Sequence, residues 1–174
     1  NGPDINYASF RGLLTPLGFG YAPWADRYHY HRVGSFAAAQ MQEALASHDP
    51  QSVAWAAGWI SHVAGDLFGH GTYVNPEAGV ALDNPAGMDV HHDLESWSEP
   101  YVWSTLGGHP SGSHSPDSFP GFLCDASELP ASFLSSVSSR VYGIPVSPDD
   151  FRSWYKIYRA GVSTGIGYAY TDYG

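Results

Sequence analysis

The sequence predicts an all-α protein of a single domain, spanning residues 1–174. Three observations carry that expectation. Apolar residues recur at helical spacing from Val53 to Phe68, helix-forming and helix-capping residues open further long stretches at 35–48 and 147–158, and strand-like alternation is weak throughout. A chain of 174 residues is long enough to bury a core of its own.

Asn1 to Tyr21 is rich in Gly and Pro and reads as irregular structure, with Asp4 as its one carboxylate. Asp4 suits a turn or cap as well as it suits a metal. In PWADRYHYHRVG, Asp26 and His29 are three apart, so one helical turn sets them side by side. His31 would share a face with His29 only on a strand; the helical pairing is preferred.

Ser35 to His48 is a helix by propensity, with Phe36, Met41, Ala44 and Leu45 available for its packed side. Asp49-Pro50 then supplies a cap and a first-turn proline for a second, longer helix, expected to end at His70 before Gly71. Val53, Ala56, Ala57, Ile60, Val63, Ala64, Leu67 and Phe68 form its apolar stripe. Ala54, Gly58, Gly65 and Gly69 lie on another line, which suggests a closely approaching backbone. With no broad solvated face left over, this helix is expected to be central and buried.

Residues 72–87 carry turn chemistry and read as a loop. In the stretch after it, Asp89 can cap a helix that puts His91 and Glu95 four apart, with Leu94, Trp97 and Tyr101 toward the core. His92 competes with His91 for the pairing. The Gly-, Ser- and Pro-rich run between Leu106 and Pro130 reads as a long loop holding His109 and His114 in solvent. A short helix over 130–140 follows. Ser147-Pro148-Asp149-Asp150 opens the last one, whose Phe151, Trp154, Tyr155 and Tyr158 make an aromatic core face.

The formal charge is -10 and Lys156 is the single lysine, which argues against a groove that tracks a long nucleic acid. One cysteine, Cys124, excludes an internal disulfide and a thiolate zinc cluster. No apolar run is long enough for a helical membrane span. Nine histidines, by contrast, call for an explanation.

His62, Asp66 and His70 follow one another at four-residue intervals in the long helix. At about 100° per residue they fall within about 80° of one another on one face. A single buried His is ordinarily a hydrogen-bonded core residue. Two with an Asp on one face call for partners or a metal. The candidate ligands are therefore Asp26, His29, His62, Asp66, His70, His91 and Glu95, all nitrogen or oxygen donors. Such a set suits zinc, and it exceeds one tetrahedral site, so two or more ions are expected. Paired metals suit attack on a phosphoryl centre.

The order of Asp and His, then HVAGDLFGH, then HHDLE, resembles the zinc-dependent phospholipase C family, which shares its helical fold with the P1/S1 nucleases. The resemblance covers about residues 20–100. It implies a helical bundle around a multinuclear site. One zinc would be held by Asp26, His29, His62 and Asp66, and a second by His70, His91 and Glu95; a third would share Asp66. It also implies secretion or an extracytoplasmic location. Well-known members place the second His further beyond the Asp, behind a proline, and bind the third zinc through an N-terminal amine and an early His. This sequence has neither that proline nor a His before His29, so a dinuclear site is the expectation and a trinuclear one stays open.

The expected function is hydrolysis of a phosphodiester, foremost a phospholipid headgroup bond, by a zinc-activated water. Asp26 would accept the proton, a role implied by the family, and Trp55 and Trp59 could wall the pocket, although core packing is the commoner fate of such residues. A transient contact with a membrane surface would need an exposed apolar patch. A P1/S1-type nuclease or 3'-nucleotidase is the rival on the same ligands. An HD-type phosphohydrolase, invited by His48-Asp49 and His92-Asp93, ranks below it. The alternative of another class is a non-catalytic binding module stabilised by zinc.

Overall fold

The computed structural model describes Ile5, residues 23–78, Leu94 and residues 123–172, without the side chains of Pro23, Asp26, Ala78 and residues 162–172. Expectations for Asp4, the helix holding His91 and Glu95, and the segments with His109 and His114 lie outside these residues. Among the described residues the structure is helical and contains no strand. The elements are α1 (Pro23–Tyr30), α2 (Val33–Ser47), α3 (Pro50–Gly69), a π-helical turn (His70–Val74), α4 (Asn75–Ala78), α5 (Ala131–Tyr142) and α6 (Pro148–Asp172). Two compact units divide the chain, Asn1–Val63 with Cys124–Ala160, and Ala64–Leu123 with Gly161–Gly174.

The first unit is built around Tyr28, which is fully buried on α1. Its ring stacks on Phe36 of α2 at 4.8 Å and meets Trp59 of α3 edge to face at 5.1 Å. Phe151 of α6 lies 6.5 Å away. The phenol would be an expensive group to bury alone, and a 2.6 Å hydrogen bond with Ser138 Oγ on α5 satisfies it. Burial nevertheless pushes the Tyr28 hydroxyl far above its ordinary pKa. α2 packs on α5, and α1 on α2. The same core includes Ile5, Trp24 of α1, Leu129, then Ala131, Leu134 and Val137 of α5, Val146, and Tyr155 of α6, with Trp154 and Tyr158 partly buried against it.

Local signals account for most helix ends. Asp49 accepts from the backbone N–H groups of Gln51 and Ser52 and from the Ser52 hydroxyl, so α3 starts where Asp49-Pro50 predicts. Ser147 and Asp150 bond reciprocally, Ser147 N–H to the Asp150 carboxylate and Asp150 N–H to Ser147 Oγ, which closes the first turn of α6. Gly143 ends α5 at φ 68, a conformation open to glycine without strain. Arg32 and His48, both at φ 54, flank α2 in the same left-handed region.

Three expectations about α3 need correction. The helix does not stop before Gly71: it widens into the π-helical turn, where Asn75 N–H reaches the His70 carbonyl and Thr72 Oγ1 bonds Phe68 O at 2.6 Å, and it resumes as α4. Asn75-Pro76 starts that new helix, because proline needs no N–H partner in a first turn. The apolar stripe holds only in part: Ala56 and Val63 of it face the core. Ser52, Ala56 and Trp59 are buried, while Leu67 is 75% and Phe68 73% exposed, so α3 is amphipathic and not buried all round. Finally, a Cβ built at Gly58, Gly65 or Gly69 meets nothing within 4 Å among the described residues, so none of the described backbone packs against that glycine line. On α2 the packed side is Phe36, Ala37, Gln40 and Ala44, and Leu45 is exposed.

Candidate metal centre

His29 occupies the last turn of α1. Its Nδ1 lies 2.8 Å from the carbonyl oxygen of Ala25, one turn back on the same helix. A carbonyl can only accept, so Nδ1 carries the hydrogen and the lone pair of the neutral ring resides on Nε2. The ring is thereby referenced to the backbone of α1, as metal-binding imidazoles commonly are to a carbonyl or carboxylate.

His62 projects from α3, and its ring meets that of His29 at a centroid distance of 6.0 Å and an interplanar angle of 73°. Asp66 follows one turn further along the same helix. Each of the three offers one ligand atom, and these atoms all lie within 4.8 Å of one another. All three residues are half-buried. A tetrahedral zinc sets its donors about 3.3 Å apart, so this group is near enough to close on an ion by side-chain adjustment. Two imidazoles and a carboxylate form a borderline donor set that fits zinc and related divalent metals, and a three-residue set leaves a coordination position for water or substrate.

Four of the seven expected ligands have described side chains, and a fifth, Asp26, is placed by its backbone. His29, His62 and Asp66 come together. His70 opens the π-helical turn and is outside that group. Asp26 stands one turn before His29 on α1, its side chain not described, and His91 and Glu95 lie outside the described residues. His31, the competitor of His29, is exposed in the bend after α1. Trp59 is 1% exposed within the aromatic core and Trp55 packs against the same cluster, the commoner fate of such tryptophans. What the spacing could not show is the Nδ1 bond of His29, since any carbonyl one turn back is available and only the rotamer selects it.

No protein-family model, curated protein or solved structure matches this chain.

Proposed function

We propose that this chain is a metal-dependent phosphodiester hydrolase, nearest in its chemistry to the zinc-dependent phospholipases C, with a helical bundle of that kind around the site. The observation that carries the reading is the group of His29, His62 and Asp66, donated by two helices with ligand atoms within 4.8 Å. In this reading His29 Nε2, His62 and Asp66 would hold one zinc, with Asp26 as a loosely held fourth donor, and His70, His91 and Glu95 would hold another. Bound zinc supplies Lewis acidity toward phosphate oxygens and an acidified water near neutral pH. Asp66, one turn from His62, would be shared between ions. Asp26, one turn from His29 on α1, would accept the proton of the attacking water. The hydrogen bond from His29 Nδ1 to Ala25 O would hold the imidazole in one tautomer, with Nε2 as the atom that binds the metal.

Elemental analysis of protein purified without added metal or chelator tests this directly. About two zinc per chain, with turnover of a phosphocholine ester exceeding that of a nucleotide, is the expected result. Faster turnover of the nucleotide would move the assignment to the nuclease class. Folded protein that holds no metal and gains no activity when zinc is supplied would overturn the reading.

A further inference from the structure

We propose that Tyr142, the last residue of α5, is a positioning residue of the metal site, acting on His29 through the last turn of α1. This rests on the reading of His29 as a ligand. The Tyr142 hydroxyl shares its one hydrogen between two carbonyls of the α1 end, Arg27 O at 3.3 Å and His31 O at 3.0 Å. Those carbonyls bracket His29 in the chain. Arg27 O also accepts the backbone N–H of His31 at 3.0 Å, so the phenol adds a side-chain donor to the bond that closes the last turn of α1 and holds the geometry of that turn.

A second bond crosses the same junction in the opposite direction. Arg32, which makes the bend between α1 and α2 at φ 54, donates from Nη1 to Val141 O at 2.8 Å. The end of α1 is therefore clamped to the end of α5 from both sides. The phenol is itself held: its ring meets Trp24 at 6.0 Å and Tyr28 at 5.5 Å, both edge to face. Burial raises the pKa of the Tyr142 hydroxyl well above the ordinary phenol value, so it stays a donor across the neutral range. Because His29 Nδ1 is bonded to Ala25 O, the direction of Nε2 follows the backbone of this turn.

Removing one hydroxyl separates this role from packing. Tyr142→Phe keeps the ring and deletes both bonds to α1. Zinc affinity of the full chain, measured by competition with a chromophoric chelator, is expected to fall about tenfold, at the low end of what supporting residues around metals contribute. The visible spectrum of the cobalt-substituted protein should change with it, which a merely structural residue would not cause. Tyr155→Phe is the matched control, since it deletes a phenol that donates to the Cys124 carbonyl at 2.7 Å, and it should bind zinc as the parent does. Unchanged affinity and cobalt spectrum in Tyr142→Phe would overturn the proposal. Should that variant fail to fold, Arg32→Met, at an exposed position, removes the other half of the clamp and carries the same expectation. A parent chain that binds no zinc, or a His62→Ala variant that binds it equally well, would instead overturn the metal site and this proposal with it.

Discussion

The imidazoles of His29 and His62 stand edge to face with centroids 6.0 Å apart, although they belong to different helices. The contact depends on Tyr28, the residue before His29, whose ring meets Trp59 on α3 at 5.1 Å. Tyr28 and Trp59 bring α1 against α3 on the core side, and the imidazoles on the next residue of α1 and the next turn of α3 then face each other. Packing and site are thus two consequences of one helix pairing.

If His29, His62 and Asp66 act as one ligand set, removing any member should release the metal without melting the helices. His62→Ala and Asp66→Ala are expected to lose bound zinc and activity while far-ultraviolet circular dichroism stays unchanged. His109→Ala should do neither. A fully loaded Asp66→Ala protein with normal turnover would remove Asp66 from the site.

The face of α3 that is buried can be read by mutation. Trp59→Ala should lose about 3–5 kcal/mol of stability in urea unfolding, the range for large aromatic truncations in a core. Leu67→Lys, on the exposed side, should stay within about 0.5 kcal/mol of the parent. The reverse ranking would restore the stripe expected from periodicity.

Gln40 is fully buried, and neither its amide nitrogen nor its amide oxygen has a hydrogen-bond partner among the described residues. Leucine has nearly the same volume and no polar group to desolvate. Gln40→Leu should therefore raise stability by about 1 kcal/mol or more in urea. Destabilisation would mean that the amide is satisfied in solution, as by an internal water.

The cap of α3 should leave a pH signature. The Ser52 hydroxyl, followed by the backbone N–H of Ser52, holds the Asp49 carboxyl below its usual pKa. A pKa lower in the folded than in the unfolded chain gives stability that is fully present above the unfolded value, about 3.9, and is lost as pH falls through the folded one. Asp49→Asn keeps a capping oxygen but not the charge. It should flatten the acid limb of the thermal-unfolding midpoint below about pH 4, and an unchanged acid limb would show that the charge contributes nothing.

The helical class, the start of α3 at Asp49-Pro50 and the start of α6 at Ser147 to Asp150 were legible in the sequence because each rests on residues within one turn of one another. The same locality made His62 and Asp66 visible as a pair, since helix pitch alone sets four-residue neighbours together. It also favoured His29 over His31, which the structure leaves exposed in a bend. The extension beyond Gly71 was hidden because a π-helical turn depends on which carbonyl each N–H selects, and Gly71 is compatible with either outcome.

Only the tertiary structure decided which side of α3 is buried. Val, Ile, Leu, Phe and Trp occur on several sides of that helix, so its own period could not choose among them; the large rings of Tyr28 and Phe36 did, by enclosing Trp59 and leaving Leu67 and Phe68 outside. The meeting of His29 with His62 and the clamp of Tyr142 on the end of α1 are likewise contacts between residues remote in the chain. The sequence by itself determined the residue types able to bind a metal and the turns that present them. Their convergence came from side-chain packing, because hydrophobic burial acts on the summed surfaces of several helices and no single helix carries that sum.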